Sequence, residues 1–391
     1  MRCGWVRVVK VRDERDAAQL ISRVGADQPG VEIMAPKAVC QALQVRGRSA
    51  PAALILKQEL RARGGEAAID RRAVLGEAGS GEAVLMGTWR QYRQLAAKLE
   101  QQPFGLKLLA GEIRRIIERE SEGSPGLFGL PLGERTLVMG ILNLTPDSFS
   151  DGGRYNRPEE ALKRAEEMIA EGADLIDVGG ESTRPGAVAV SEEEEWRRVF
   201  PLLERLLPQT ATPLSIDTYK ASIARRALGM GVRLINDVGG LKADPDMARV
   251  IADHDAAVVI MHNRATAEYC DLMADICQDL GESLEIAERA GIDPRRIILD
   301  PGIGFGKTAE HNLEVLRRLE ELRSLGKPLL VGTSRKSFIG RVLDKPPGER
   351  LEGTAATVAL SIAAGADIVR VHDVREMAAV ARMADAVVRR G

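Results

Sequence analysis

Residues 137–143 read LVMGILN, and residues 144–153 continue as LTPDSFSDGG. The first segment is apolar at nearly every position, which is typical of a parallel strand covered on both faces. The second is rich in Pro, Gly, Asp and Ser, the residues that favour turns and loops. Together they predict a buried strand whose carboxyl end opens into a polar loop.

The same order of strand, polar loop and amphipathic helix recurs through the rest of the chain. Strands are predicted at 137–142, 175–178, 213–216, 234–236, 257–261, 297–299, 329–332 and 368–371. A helix is predicted after each, at 158–171, 192–207, 222–228, 245–254, 268–290, 312–325, 351–364 and 375–389. Eight such units over ~260 residues match an α/β fold of the (β/α)8 TIM barrel type. A doubly wound sheet is the alternative, although it usually needs fewer strands.

The region before the barrel is predicted to be a smaller N-terminal α/β domain. Residues 122–126, EGSPG, have the composition of a linker, so we place the domains at 1–124 and 125–391. Strands are predicted at 6–11, 32–34 and 83–86, and helices at 51–63, 88–101 and 105–120. Thr88 is the expected N-cap of the second helix. The sequence assigns no function to residues 1–124.

Composition argues against several functional classes. The chain is 45% hydrophobic and 3% aromatic, with a net charge of −2. We therefore expect no nucleic-acid partner, which would need a basic field or stacking rings. No stretch approaches ~20 uncharged apolar residues, so no membrane partner is expected. The start lacks the apolar core of a signal peptide, and the four cysteines form no CxxC pair, which favours a cytoplasmic location.

Polar side chains follow the predicted strands at the points where they end. In a barrel these carboxyl ends meet at one mouth, where the active site lies. The residues are Asn143, Asp177, Asp217, Asn236, Asp237, His262, Asp300, Ser334, Arg335, Lys336, Ser337, Arg370, His372 and Asp373. A single Asp at a strand end is usually a helix cap, and Asp237 and Asp373 fit that alternative. Capping does not explain Asn, Arg, Lys and His together, so the set predicts an active site.

The residue types indicate what such a site binds. Asn and ionised Asp form directional hydrogen bonds with the amide and amidine edges of a heteroaromatic ring. Arg and Lys at the last two strands match phosphate oxygens, which Arg contacts through a two-pronged guanidinium. Ser337 is predicted near a helix start, where backbone N–H groups favour a carboxylate.

The strand ends and their loops carry a set of motifs: MGILN at 139–143, TPDSFSDGG at 145–153, IDVGGESTRPGA at 176–187, SIDTYK at 215–220, INDV at 235–238, LDPGIGFGK at 299–307, SRKS at 334–337 and RVHDV at 370–374. Through these motifs the chain resembles the dihydropteroate synthases over about residues 132–390. The resemblance implies a TIM-barrel transferase that joins 6-hydroxymethyl-7,8-dihydropterin diphosphate to p-aminobenzoate. It also implies that diphosphate is released and that Mg²⁺ is the cofactor.

The resemblance further implies roles for individual residues. Catalytic roles are implied for Asp151, Lys336, Arg370 and His372, with Asp151 facing the charge that develops at the pterin methylene. The pterin is expected to contact Asp217, Asn236, Asp300 and Lys336, with Arg335 stacked on its ring. Asp177 is expected either to lie under the pterin or to brace the loops. Asn143 is the expected metal ligand, and Arg370 and His372 are expected to hold the diphosphate. The remaining substrate-binding residues are Phe149, Thr183, Arg184, Pro185 and Ser337, of which Phe149, Pro185 and Ser337 shape the aminobenzoate pocket.

Two other functions share part of this pattern. A pterin-binding methyltransferase domain has the same barrel, but is not expected to carry TPDSFSDGG, STRPG and SRKS together. A non-catalytic pterin-binding module is expected to lose the diphosphate residues, whereas Asn143, Arg370 and His372 are present. We therefore expect pterin diphosphate and p-aminobenzoate as partners, inhibition by sulfonamides that mimic the latter, and a homodimer.

Overall fold

The computed structural model describes residues 7, 9–77, 81–121, 127–144, 157–182 and 189–389. The chain forms two compact units, residues 1–123 and residues 124–391. Each unit has its own hydrophobic core. None of the described helices is both long and apolar enough to cross a membrane.

The first unit is an antiparallel sheet with helices packed on it. Its strands are β1 (Cys40–Val45), β2 (Glu66–Ile69) and β3 (Ala83–Thr88), in the spatial order β1-β3-β2. Its helices are α1 (Glu14–Ser22), α2 (Gln28–Ala38), α3 (Ala50–Arg61), α4 (Arg71–Val74), α5 (Trp89–Leu99) and α6 (Leu106–Ser121). The core between them is built mainly from Leu56, Leu60, Leu85, Tyr92 and Leu95.

Predictions for this unit are partly wrong. Thr88 does cap α5, in a reciprocal capping box with Gln91. The strand predicted at 32–34 lies inside α2, which Asp27 caps and which has a proline in its first turn. The described residues between 7 and 11 form no strand. Strands β1 and β2 were missed, since their sequences CQALQV and EAAI lack a β-branched run.

The second unit is the predicted barrel. Its parallel strands are β4 (Leu137–Asn143), β5 (Leu175–Gly179), β6 (Leu214–Asp217), β7 (Leu234–Asp237), β8 (Ala257–Met261), β9 (Ile297–Asp300), β10 (Leu330–Val331) and β11 (Ile368–Val371). They form one eight-stranded sheet in the order β10-β11-β4-β5-β6-β7-β8-β9. A parallel bridge between Leu299 and Leu329 joins its two ends. The predicted fold class is confirmed.

Helices surround this barrel. They are α7 (Arg157–Glu171), α8 (Glu192–Leu206), α9 (Ala221–Met230), α10 (Met247–Asp253), α11 (Leu272–Ala290), α12 (Ala309–Arg317), α13 (Ser337–Leu343), α14 (Leu351–Ala363) and α15 (Val374–Val388). The predicted helices are present, and α13 is an additional short helix after β10. Gly231 and Gly291, both in the left-handed region, end α9 and α11 as C-cap residues.

Two layers of apolar side chains hold the barrel together. The interior is filled by Leu137, Met139, Leu175, Leu234, Ala257, Val259, Ile298, Leu330 and Ile368, with Leu127 and Leu132 packed against them. A larger layer lies between the strands and the helices. The barrel is therefore a packed core rather than a pore, which leaves its rim for polar residues.

A variant that begins at Gly126 tests whether the barrel folds alone. We expect one cooperative thermal transition and retained catalytic activity, because the barrel residues form their own core. Circular dichroism melting and an activity assay measure these outcomes, with the full chain as the control. Insoluble or inactive truncated protein beside an active full chain would show that the barrel depends on the first unit.

Candidate active site

The strand register places several polar residues at one level of the barrel mouth. It pairs Asn143 with Gly179, Gly179 with Asp217, and Asp217 with Asn236. Residues that pair across neighbouring strands share a face of the sheet, so these side chains form one layer. Asp177 lies two residues before Gly179, and therefore belongs to the same face one layer deeper.

Arg370 joins the two carboxylates of this region. Its Nε donates to Asp177 Oδ2 at 2.6 Å, and its Nη2 donates to Asp217 Oδ2 at 2.7 Å. Asn236 Nδ2 donates to the same Asp177 oxygen at 3.0 Å. The carboxylates and the amide are buried. Asp177 Oδ1 and Asp217 Oδ1 are also buried, and neither has a hydrogen-bond partner among the described residues.

Burial and charge pairing together determine the ionisation of this cluster. It raises the pKa of Asp217 to about 7 against the opposing effect of the Arg370 cation, and the Asp177 carboxylate adds to the rise. Burial by itself lowers the pKa of Arg370, but the Asp177 and Asp217 carboxylates outweigh it and the net shift is upward. The guanidinium is therefore a permanent cation between two closely spaced acids.

Asp300 and Lys336 form a second polar group. Asp300 Oδ1 accepts a hydrogen bond from Gly302 N–H at 2.7 Å, and Lys336 Nζ donates to the carbonyl of Ile303. Nζ also lies 4.7 Å from the centre of the Phe305 ring, a cation–π distance. Burial raises the pKa of Asp300 and lowers the pKa of Lys336 to about 8, because it disfavours both charged forms.

Arg335 lies on the rim and has an unusual backbone conformation. Its φ of +57° is in the left-handed region, which residues with a side chain seldom adopt. Its Nε donates to Asp373 Oδ2 at 3.0 Å, and its backbone N–H donates to Thr354 Oγ1 at 3.1 Å. The cap interpretation of Asp373 is wrong, because this side chain makes no cap hydrogen bond to α15 and pairs with Arg335 instead.

The other strand-end residues differ in their contacts. Asp237 accepts hydrogen bonds from the backbone N–H groups of Gly239 and Leu241, both at 2.7 Å, so it stabilises a local turn. The His372 ring places Nδ1 3.0 Å from Ser334 Oγ. Ser337 is the exposed first residue of α13, and Asn143 is half-buried at the end of β4. The predicted site residues Phe149, Asp151, Thr183, Arg184 and Pro185 lie outside the described residues.

Two lysines that make several polar contacts near the barrel mouth were not identified as site residues from the sequence. Lys220 contacts the carboxylates of Glu181 and Glu195, with Nζ 2.7 Å from Glu195 Oε2, and donates to the carbonyl of Val190 at 2.7 Å. It thereby links residues on both sides of the segment 183–188. Lys307 lies 2.8 Å from His262 Nδ1. The one sequence feature that could have indicated these lysines is their position, because Lys220 ends the motif SIDTYK and Lys307 ends the motif LDPGIGFGK.

Comparison with known proteins identifies relatives of the barrel unit. The family described as pterin binding enzyme matches residues 139–372. The dihydropteroate synthase of Bacillus subtilis is 57% identical over 258 residues, covering 66% of this chain and 90% of that protein. A dihydropteroate synthase structure from Clostridium difficile, determined in the presence of pteroic acid, has a TM-score of 0.66 and 53% identity, covering 67% of this chain and 100% of that chain.

One relative extends over both units. It is a Halobacterium salinarum protein described as a probable bifunctional folylpolyglutamate synthase/dihydropteroate synthase. Its identity is 43% over 397 residues, which cover 98% of this chain and 48% of that protein. This chain therefore spans about half of that relative's length, and the match includes the N-terminal unit.

The barrel and its carboxylate-lined mouth define a pterin-binding enzyme. More narrowly, the chain belongs to the dihydropteroate synthase family, whose members are transferases of folate biosynthesis. The resemblance inferred from the motifs is confirmed, as is the class of enzyme. The identity of these relatives favours the synthase over the methyltransferase domain and the non-catalytic module.

The pKa of Lys336 predicts how pterin binding depends on pH. With a pKa of about 8, its amine is charged below that pH and neutral above it. We expect the affinity for a diphosphate-free pterin to fall as pH rises through about 8, as the cation is lost. Calorimetric titration across this range measures the effect. Lys336→Arg keeps its charge, so an unchanged fall in that variant would assign the titration to another group.

Proposed function

We propose that this chain joins 6-hydroxymethyl-7,8-dihydropterin diphosphate to p-aminobenzoate and releases 7,8-dihydropteroate and diphosphate. The observation that carries the proposal is the pair of buried oxygens, Asp177 Oδ1 and Asp217 Oδ1, which have no hydrogen-bond partner among the described residues. An unsatisfied buried acceptor costs about 1–3 kcal/mol, so such a site favours a ligand rich in N–H donors. The amide and amino groups of a pterin supply such donors.

The pterin contacts follow from the chemistry of the two polar groups. Asp177, Asp217 and Asp300 accept hydrogen bonds from the ring, while Asn236 and Lys336 contribute donors. The exposed guanidinium of Arg335 stacks on the ring face. Pteroic acid, present with the Clostridium difficile relative, combines a pterin with p-aminobenzoate and supports this arrangement.

Arg370 and His372 are assigned to the diphosphate. Arg370 uses Nε and Nη2 for the two carboxylates, and its Nη1 makes no hydrogen bond among the described residues. That nitrogen can donate to a phosphate oxygen while the rest of the guanidinium holds the acids. Arg370 therefore links the pterin contacts to the leaving group in a single side chain.

The residues present fit Mg²⁺ as the cofactor. Within the described ranges, no group of three or more His, Cys, Asp or Glu residues could hold a metal ion. Mg²⁺ usually keeps several waters and takes one or two protein oxygens together with substrate phosphates, so such a group is not required. The amide oxygen of half-buried Asn143 can provide one ligand. When bound, the ion would neutralise charge on the diphosphate.

The substitution requires no enzyme nucleophile. As the C–O bond to the diphosphate breaks, its electron pair leaves with the diphosphate and positive charge spreads from the methylene into the pterin ring. Arg370 and His372 stabilise the leaving group, and Asp151 faces the developing cation. The amine nitrogen of p-aminobenzoate then bonds to the methylene and releases a proton.

The aminobenzoate pocket is assigned to the remaining predicted residues. Phe149, Pro185 and Ser337 shape it, and Thr183 and Arg184 help to bind substrate. Lys220 holds Glu181 and Val190, which flank 183–188, and so supports this part of the site from outside. A sulfonamide with the outline of p-aminobenzoate should occupy the same pocket.

We also propose that the protein acts as a homodimer in the cytoplasm. The neighbouring helices α14 and α15 expose Leu360, Met383 and Val387 by 64%, 66% and 70%. Large apolar side chains left exposed on neighbouring helices are the kind of surface that a second copy of the chain could cover. Cys40, Cys270 and Cys277 are free thiols, which fits a reducing compartment.

Product formation tests the proposed reaction directly. Purified protein given Mg²⁺, pterin diphosphate and p-aminobenzoate should form dihydropteroate and diphosphate in equal amounts. A sulfonamide should compete with p-aminobenzoate but not with the pterin. Folded protein that forms no product under these conditions would overturn the proposal.

Separate variants test the pterin contacts and the diphosphate contacts. We expect Asp300→Asn to weaken binding of a diphosphate-free pterin, and His372→Ala to spare that binding but slow turnover. Losing one such contact should cost on the order of 2–4 kcal/mol, or roughly thirty- to a thousandfold. Calorimetry beside steady-state kinetics separates these effects. Unchanged pterin binding in Asp300→Asn, or full turnover in His372→Ala, would contradict the assignments.

A further inference from the structure

The loop after β9 is held in place by the side chain of Lys307, which lies at the end of the same loop. Lys307 Nζ donates to the carbonyl oxygens of Gly302 and Phe305, both at 3.1 Å, and lies 2.8 Å from His262 Nδ1. The side chain therefore folds back under residues 302–305 and ties them to the end of β8. Neither His262 nor Lys307 has a role in the reaction described above.

The backbone of this loop lies directly against the residues after β8. Gly302 has φ +67°, and a Cβ there would come within 1.9 Å of the His262 carbonyl oxygen. Gly306 has φ +55°, and a Cβ there would come within 2.3 Å of the Arg264 carbonyl oxygen. Only glycine fits at these two points, so the loop and the strand end form one closely packed unit.

His262 acts as a hydrogen-bond acceptor for Lys307. Its Nε2 lies 3.0 Å from Asp279 Oδ2, and Arg264 Nε donates to the same oxygen at 2.6 Å. Burial, with the Lys307 cation, lowers the pKa of His262 to about 3, so the ring is neutral. The Asp279 contact then requires the proton on Nε2, which leaves Nδ1 to accept.

The contacts of Lys307 fit the charged ammonium form of its side chain. Three acceptors surround Nζ, and only the ammonium form has three N–H donors. The charged groups that influence it are Asp300, Lys336, Arg264 and Asp279. Burial lowers the pKa of Lys307 to about 7, while Asp300 favours the charged form.

The loop that Lys307 holds carries contacts of the pterin site. Gly302 N–H donates to Asp300 at 2.7 Å, Ile303 accepts from Lys336, and the Phe305 ring lies beside Lys336 Nζ. We propose that Lys307 is a positioning residue: through His262 and the carbonyls of Gly302 and Phe305, it fixes the loop that orients Asp300 and Lys336. This inference rests on the proposed function, and it adds Lys307 as a residue that positions the pterin contacts without touching the pterin.

Lys307→Met tests the inference, because it keeps most of the side-chain length and removes all three hydrogen bonds. We expect the dissociation constant of a diphosphate-free pterin to rise at least tenfold, while the KM for p-aminobenzoate changes less than twofold. Lys163→Met is the matched control, since Lys163 is an exposed lysine on α7 that pairs with Glu167 and does not support the loop. An unchanged pterin dissociation constant in folded Lys307→Met would overturn the inference.

A pair of His262 variants covers the case in which Lys307→Met does not fold. His262→Gln retains an acceptor for Nζ and should keep pterin affinity within threefold, whereas His262→Leu should lose about tenfold. Equal losses of pterin affinity and p-aminobenzoate affinity in His262→Leu would indicate general damage and reject a positioning role. A parent protein that forms no dihydropteroate would instead contradict the proposed function.

Discussion

The guanidinium of Arg370 between Asp177 and Asp217 is the interaction on which the site depends. Two buried acids at this spacing repel each other, and the upward shift in the pKa of Asp217 to about 7 records the cost of burying its charge. Removing one partner from a buried ion pair typically costs about 3–5 kcal/mol, because the other charge is left uncompensated. The cluster exists only because the barrel brings β5, β6 and β11 to one mouth, although they are far apart in sequence.

The sequence predicted the barrel much better than the N-terminal unit, for a physical reason. Each barrel strand is a continuous apolar run followed by turn residues and an amphipathic helix, so strand, loop and helix signals support one another. The segment 32–34 in the first unit carries no such support, and its apolar residues fit a strand or a helix equally well. Asp27 and Pro29 in the preceding residues favoured the helix, through a cap and a fixed φ.

The sequence likewise predicted one part of the site and not another. Strand ends identified Asp217, Asn236, Asp300 and Arg370 as neighbours, because barrel geometry alone brings them together. The sequence did not reveal that Arg370 pairs with Asp177 and Asp217, nor that Lys307 supports a loop through His262. Such partners are defined by side-chain direction and by close approach of backbones, as at Gly302, and neither is visible in residue type or spacing.

The charges at the described part of the mouth explain why the leaving group needs help beyond the barrel itself. Asp177 and Asp217 share the Arg370 cation, whereas Lys336 donates to a carbonyl oxygen of the loop after β9, and Lys307 contacts two such carbonyls and His262. An uncharged pterin ring can enter this site and satisfy its unpartnered carboxylate oxygens without adding charge. A diphosphate, in contrast, adds negative charge, and Arg370 is already engaged by two acids. The added charge favours a further cation at this point of the mouth, and this is the physical reason for the Mg²⁺ that we propose beside Asn143.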